Sequence, residues 1–599
     1  MSASDPYSID RALAQRSLPA TFLAKADLKP EARALRMFGA EEQLTWEQWR
    51  SHSIAVAGGL SDLGVARGDR VALLLNTRME FHIADVGALL LGAIPFSMYV
   101  TSPVSQLQEI AANAEPRVLI TEAALAAKAR DLMVVCPGIE QLVVVEADAA
   151  RGGELSLAAL EARCAADFDV TRAVAATQRD DICTLVYTSG TTGPPKGVQF
   201  RHGAMMDCLE SIRRCFPTTA EDRALSYLPM AHIAERIFGH YATFLYGYEV
   251  TSLADLGELP RALHAVRPTR FFGTPRIYEK LLAAIHRSVA ESPDREALRA
   301  AFAARLERVR AEQAGEPVAG DDEADLALLA PLAALTGLEQ AHFLAVAGAP
   351  SSLEMLEELT AVGLPINEFY GSSEIIIVSC SPPDRIRLGT AGLPLAGANL
   401  TLADDGEILA KGPTVTPGYF RDPERSAESF DADGWFLTGD IGHIDDEGYL
   451  SIVDRKKALI INAAGKNMSP ANIEQAIMGG QPLISHVLAF GDRRPYNVAL
   501  IVLDREGVSG FAHEHGLGDL PFEALTQDER IREAVEAAVA AGNERLSRVE
   551  QIKRFAILDH DWPPGGAQLT PTAKLRRKEV TEQYRDVIDR LYDGAPGGL

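Results

Sequence analysis

Short apolar, β-prone runs alternate with helix-period segments through most of this chain, and that alternation is the strongest constraint on its fold. Val71 to Leu75, Ile94 to Met98, Val118 to Thr121, Leu142 to Glu146 and Ile182 to Val186 are continuous apolar runs of strand type. His342 to Ala347 is another. Thr45 to Gly64 reads as the first well-marked helix. Thr45 with Gln48 makes a capping-box pattern, Trp49, Val56, Leu60 and Leu63 share one face, and Gly64 suits a stop. Gly203 to Arg214 reads as a helix, and Glu291 to Gln340 as two helices around an acidic loop, Gly315 to Asp325. Strands alternating with helices specify an α/β sheet covered on both faces. At 599 residues the chain exceeds one ordinary core, so several packed subdomains are expected.

Beyond Lys457 the pattern changes. Leu459 to Ile461, a helix opened by Ser469-Pro470, and paired strands near Val487 and Val498 read as a small α+β domain. The expected division is residues 1–456, a large N-terminal α/β part, and residues 457–599, a small C-terminal domain.

A formal net charge of −25 makes nucleic acid an unfavourable partner and opposes tight binding to anionic membranes. The six cysteines have no CxxC spacing, which argues for reduced thiols and against a zinc site or disulfide framework. The first thirty residues carry charges throughout and no apolar core of a leader. The most apolar stretch, Val86 to Phe96, is too short to cross a bilayer and reads as a buried helix running into a strand. A cytoplasmic protein is expected, with weak peripheral membrane contact left open and the oligomeric state unread.

The segment Tyr187 to Gly197 reads YTSGTTGPPKG. Glycines let the backbone approach a ligand, hydroxyls add donors, and Lys196 adds a mobile positive charge, which together suit a polyphosphate. It is not the Walker loop, which wants Gly before its lysine and Ser or Thr after it; here Pro195 and Gly197 flank Lys196.

This string resembles the phosphate loop of the adenylate-forming superfamily, and motifs from roughly Leu44 to Lys578 extend the resemblance in order. The resemblance implies an acyl-adenylate synthetase fold with a mobile C-terminal domain. It implies that Thr188, Ser189, Gly190, Thr191, Thr192, Gly193 and Lys196 hold ATP phosphates. His232, in Leu-Pro-Met-Ala-His, is similar to the strand-end residue beside the acyl group and α-phosphate. His232-x-x-Glu235-Arg236 and Pro275-Arg276-x-x-Glu279-Lys280 together resemble the long-chain acyl-CoA synthetase branch; alone, Arg276, Glu279 and Lys280 read as solvated charges opening a helix. Gly348, Ala349 and Pro350 would line the adenine pocket, followed by Glu368, Phe369, Tyr370, Gly371, Ser372 and Ser373. Ser373 stands where the family usually has Thr. Glu374, with Thr188, would hold Mg2+ bridging phosphates. Asp440 and Arg455 would take the ribose hydroxyls.

Lys457 matches the hinge, Gly465 and Lys466 the pantetheine approach, and Lys574 the catalytic lysine. The implied activity is a long-chain fatty acid:CoA ligase consuming ATP and CoA through an acyl-adenylate. The alternatives are a ligase that loads a carrier protein, a CoA ligase for another acid, a non-catalytic sensor and a luciferase-like oxygenase.

Overall fold

The computed structural model describes residues 14–188, 194–318, 322–462, 467–479, 482–518, 520–563, 565–570 and 575–593. The helix Trp46–Asp62 begins as its sequence dictates. The Thr45 hydroxyl accepts the Gln48 N–H at 3.2 Å, and Gln48 Oε1 accepts the Thr45 N–H at 2.9 Å. Its buried face carries Trp46, Trp49, Ser53, Val56 and Leu60 at three- and four-residue steps. Phe22 and Phe244 pack on Trp49, with ring centroids 4.9 Å and 5.7 Å from it. Each such fully buried side chain contributes about 1.5–3 kcal/mol.

Among the described residues, the apolar runs assemble into two large sheets. The first has seven strands, of which Leu155–Ser156, Gln141–Val144, Val118–Thr121, Arg70–Leu74, Ile94–Ser97 and Ile182–Thr188 are parallel neighbours in that order. Lys196–Arg201 closes it antiparallel to Ile182–Thr188. The second has nine strands, with Arg33–Met37, Glu249–Ser252, Arg223–Ser226, Arg270–Gly273, Phe343–Val346 and Asn367–Tyr370 parallel at its centre. Antiparallel strands cap both of its edges. One continuous apolar core joins the two sheets and includes Phe200, Met205, Leu209, Tyr241, Phe343 and Phe369.

A third sheet, four antiparallel strands among the described residues, spans Asn399–Leu402, Glu407–Lys411, Phe436–Ile444 and Leu450–Arg455. After it the chain builds a separate core on Ile484–Phe490, Asn497–Leu503 and Ile552–Ile557, with Ser469 capping the helix Pro470–Met478. This later part rests on the earlier one through polar contacts. Gln475 donates to the Pro350 carbonyl at 2.6 Å, Arg545 meets Glu354 at 2.5 Å, Lys280 meets Glu506 at 3.1 Å, and Arg276 pairs with Asp504. Arg276 and Lys280 are therefore engaged across the molecule and are not merely solvated charges of the helix Pro275–Glu291.

Candidate active site

The expected phosphate loop lies between two antiparallel strands of a hairpin, with Thr188 opposing Lys196 in register. Ser189, Gly190, Thr191, Thr192 and Gly193 lie outside the described residues, as do Gly465, Lys466 and Lys574. The base of the hairpin is well placed to carry charge. The Lys196 ammonium sits over the Tyr419 ring, 4.7 Å from its centroid. The Tyr419 hydroxyl donates to Glu374 Oε1 at 3.1 Å, and Ser372 Oγ donates to Glu374 Oε2 at 3.1 Å. One cation and one carboxylate thus share an aromatic spacer. Burial, with the nearby Glu374 carboxylate, pushes the Tyr419 phenol well above its ordinary range, so its proton stays on. Tyr419 carries no motif of its own; its signal is an isolated bridge to Val198, which seats it on the hairpin.

Glu374 is the carboxylate for which a magnesium role is expected. Among the described residues no group of three or more His, Cys, Asp or Glu could cage a metal. A single carboxylate with hydroxyl neighbours still suits Mg2+, which keeps waters and takes most of its remaining ligands from substrate phosphates. The oxygen donors present therefore fit that ion.

The strand Asn367–Tyr370 turns alternate side chains to opposite faces. Phe369 faces the core, stacked 5.7 Å from Phe216 and packed against Phe343. Its side chain anchors the strand, which leaves its backbone as the part that the expected nucleotide site could use. Tyr370 donates its hydroxyl to Asp440 Oδ2 at 2.7 Å. Arg455 Nε meets Asp440 Oδ1 at 2.9 Å, and the two residues are register partners in the third sheet. Asp440 is buried while Arg455 is exposed, so the ion pair runs from the interior to the surface. A carboxylate offers about four acceptor positions, so Asp440 can serve both neighbours and still take a hydroxyl.

Glu368 is pushed up to about 8 by burial, against the opposing Gly389 N–H that donates to it at 2.8 Å. Gly371 is required for space, since a Cβ there would overlap the Ile376 carbonyl oxygen. Ser373 is half-buried beside it. Gly348, Ala349 and Pro350 are exposed after the strand Phe343–Val346. Gly348 has φ +93° and open space where a Cβ would project, so the backbone there is bare to a flat ligand.

His232 lies six residues past the strand Arg223–Ser226, where its ring caps a helical turn by accepting the Ala234 N–H at 3.2 Å. That differs from the strand-end placement expected for it. The next residues of its motif join the two sheets. Buried Glu235 accepts from Ser226 Oγ at 2.5 Å and from the Leu228 N–H at 3.1 Å, on the nine-stranded side. Arg236, fully buried, donates to Asp85 at 2.7 Å and to Ser97 Oγ at 3.0 Å, on the seven-stranded side. Arg236 opens a π-helical stretch, Arg236–Tyr241. His240 Nε2 donates to Asp85 Oδ1 at 3.0 Å, and His82 Nδ1 meets His240 Nδ1 at 2.8 Å. Burial lowers both histidines, so each is neutral and one proton serves each link of the chain. Glu235 and Arg236 thus set the position of His232 at the seam between the sheets.

Lys457 is exposed in a turn directly after Lys456, which is tied to Asp405 at 2.5 Å and Glu407 at 2.7 Å. The chain is thereby fixed to the third sheet one residue before the expected pivot.

The sequence profile of the AMP-binding enzyme family matches residues 22–420, and that of the AMP-binding enzyme C-terminal domain matches residues 457–596. A putative fatty-acid–CoA ligase, fadD11, of Mycobacterium tuberculosis is 43% identical over 74% of this chain and 79% of its own length. Long-chain-fatty-acid–CoA ligase FadD15 of the same species is 33% identical over 90% of each chain. Among solved structures, the A domain of carboxylic acid reductase from Segniliparus rugosus, bound to AMP and a co-purified carboxylic acid, superposes with a TM-score of 0.74. It is 20% identical and covers 98% of this chain and 95% of that one. Anthranilate CoA ligase AuaEII with anthranoyl-AMP gives 0.72 at 19% identity, covering 95% and 97%. At those identities the solved structures establish the fold. Through the match across residues 22–420, the chain belongs to the AMP-binding enzyme family.

Proposed function

We propose that this protein is an ATP-dependent long-chain fatty acid:CoA ligase that works through an acyl-adenylate. The observation that carries the reading is the 43% identity, across most of both chains, to a relative named as a fatty-acid–CoA ligase. The site residues supply a coherent route. A carboxylate is a poor acyl donor because its leaving group would be oxide. Its oxygen attacks the α-phosphorus of ATP, the bond to pyrophosphate breaks, and the acyl carbon gains AMP as leaving group. A thiol then attacks that carbon, forming the thioester and releasing AMP. No protein nucleophile is needed.

The protein positions the reactants and balances charge on phosphate oxygens. Lys196 and the hairpin loop Thr188 to Gly193 take the phosphates. Mg2+, held by Glu374 with Thr188, would neutralise charge shared between phosphates. Asp440 takes ribose hydroxyls, with Arg455 fixing its orientation. Tyr370, Glu368 and the backbone at Gly348, Ala349 and Pro350 frame the base. His232 stands at the acyl carboxylate. An apolar acyl chain finds a wall in the half-buried Phe238 and Phe272, whose rings stack 4.7 Å apart, and in Ala347. Lys574 brings positive charge to the α-phosphate, and a turn of the C-terminal domain at Lys457 replaces it with Gly465 and Lys466, opening the path for CoA.

ATP–pyrophosphate exchange without CoA tests the first half. Exchange dependent on a fatty acid, lost in Lys574→Ala, supports the reading; exchange with no acid from short to long chain contradicts it. Gly465→Trp separates the halves. Thioester formation should fall while exchange persists, and an equal fall in both would remove Gly465 from the thiol path.

A further inference from the structure

Asn113 stands in the last turn of the helix Val104–Ala114, and its side-chain amide joins two segments far from it in sequence. The Tyr187 hydroxyl donates to Asn113 Oδ1 at 2.6 Å, and Asn113 Nδ2 donates to the Phe420 carbonyl at 3.2 Å. Chemistry fixes both directions. A backbone carbonyl only accepts, so the amide nitrogen faces Phe420, and the amide oxygen is left for a hydroxyl that donates. Burial holds the Tyr187 phenol well above its ordinary range, so its proton stays on and the donor persists.

The two bonds close a circuit. The Phe420 N–H donates to the Gly197 carbonyl at 2.7 Å, and Gly197 is the register partner of Tyr187. A Cβ at Gly197 would stand 3.0 Å from Tyr187 Cζ and Oη, so the ring lies directly against the glycine backbone. Tyr187, Gly197 and Phe420 are each one residue from a group of the candidate site. Tyr187 precedes Thr188, Gly197 follows Lys196, and Phe420 follows Tyr419. The Tyr419 ring carries the Lys196 ammonium, and its hydroxyl holds Glu374. Asn113 lies outside all of those segments and enters the circuit through its side chain alone.

The segment that carries Tyr419 is also anchored at its other end. The Thr416 N–H donates to the Glu374 carbonyl at 2.7 Å, and the Thr416 hydroxyl donates to the Gln199 carbonyl at 2.8 Å. The Gln199 N–H donates to the Gly418 carbonyl at 3.3 Å. Residues 416–420 are therefore laid along the strand Lys196–Arg201, pinned at one end by Thr416 and at the other by Asn113. Glu115 pairs with Arg421 at 2.5 Å beside Asn113, but that pair is exposed and contributes little.

We infer that Asn113 is a positioning residue for the nucleotide site, fixing the spacing between Lys196 and the Tyr419–Glu374 pair and so the grip on the phosphates and their magnesium. It acts through Tyr187 and Phe420. Without its amide, the Tyr187 hydroxyl loses its acceptor and the Phe420 carbonyl its donor. The end of the 416–420 segment is then free to draw away from the hairpin, and the contact between Lys196 and Tyr419 loosens with it. The effect on turnover rests on the ligase reading above; the effect on Mg·ATP binding does not.

The test measures Mg·ATP binding by calorimetry across a magnesium series, ATP–pyrophosphate exchange with a long-chain fatty acid, and thermal unfolding. The parent is compared with Asn113→Ala, Tyr187→Phe and the double variant. The expected result in Asn113→Ala is a Kd and an exchange KM for ATP about tenfold higher, a raised magnesium midpoint, and kcat within about twofold of the parent. Tyr187→Phe keeps the ring against Gly197 and should give a change of the same size. The double variant should lose no more than either single one, because both cut one path. If Asn113→Ala does not fold, Asn113→Leu keeps the volume and the helix propensity and takes its place. A merely structural role would lower the active fraction, and so kcat, and leave Kd, KM and the magnesium midpoint unmoved; that result would overturn the assignment. Effects that add in the double variant would overturn it too, since the circuit would then not be one. A parent that binds Mg·ATP but exchanges pyrophosphate with no acid would count against the ligase reading alone, with Kd still deciding the role of Asn113.

Discussion

The Tyr419 hydroxyl donates to Glu374 Oε1 at 3.1 Å while the Tyr419 ring lies beneath the Lys196 ammonium, 4.7 Å from its centroid. One side chain therefore holds apart the cation expected on the phosphates and the carboxylate expected on magnesium. Without the spacer, a lysine and a glutamate on adjoining segments would close into an ion pair, and neither would be free for ATP.

Tyr419→Phe keeps the ring and removes the hydroxyl. Pyrophosphate release should fall by about tenfold, the effect of one hydrogen bond to a charged group. Tyr419→Ala removes the spacer too and should cost about a hundredfold, with the apparent magnesium requirement rising. Steady-state kinetics across a magnesium titration check both; a Phe variant as poor as Ala would assign the whole effect to the hydroxyl.

Asp85 holds Arg236 and His240 in a fully buried network. Asp85→Ala would strand the guanidinium without a counter-charge, at a cost of about 3–5 kcal/mol. Chemical denaturation should show that loss, and Asp85→Asn should lose less, since it keeps an acceptor. A loss under about 1 kcal/mol in Asp85→Ala would contradict the clamp assigned to Arg236.

Glu235 is raised from the ordinary 4.5 to about 7 by burial, against the donors Ser226 and Leu228. Below about pH 4.5 the folded and unfolded states are both protonated there. Between about 4.5 and 7 the fold keeps a proton that the unfolded chain releases, so stability falls as pH rises, by on the order of 3 kcal/mol in all. Above about 7 both states are ionised and the loss is complete. Glu235→Gln should flatten that part of the stability–pH curve, read from denaturation between pH 5 and 8. An unchanged slope would exclude Glu235 as its source.

Arg276 with Asp504 and Lys280 with Glu506 tie the later domain to the helix Pro275–Glu291. These pairs are exposed, so each contributes about 0.2–1 kcal/mol and is screened by salt. In Arg276→Ala/Lys280→Ala, tryptic cleavage at the exposed turn Lys456-Lys457 should accelerate by about two- to fivefold at low salt. The difference should vanish at high salt. Equal cleavage rates at low salt would mean that the pairs do not hold this arrangement.

The layered α/β architecture was legible because burial on both faces writes itself as unbroken apolar runs, such as Val118–Thr121. The helix start at Thr45 was legible for a local reason, a cap and its partner three residues apart. What escaped the sequence depends on distant partners. Arg236 reads as one more charge in a motif until Asp85, 151 residues away, is seen beside it. Arg276 reads as a solvated helix charge, though its partner Asp504 lies 228 residues on. Tyr419 stands in a turn-rich stretch with no period, and only its bridge to Val198 takes it to Lys196. A motif does not say which strand face each of its residues occupies; the stacking of Phe369 on Phe216 does.

The most direct test of the ligase account is a product analysis with ATP, Mg2+, CoA and a ladder of carboxylic acids, measuring AMP, pyrophosphate and acyl-CoA together. The account predicts that all three appear in equal amounts, peak with long-chain fatty acids, and cease turning over when CoA is withheld. Sustained turnover without CoA, or AMP and pyrophosphate released with no acyl-CoA for any acid, would contradict it.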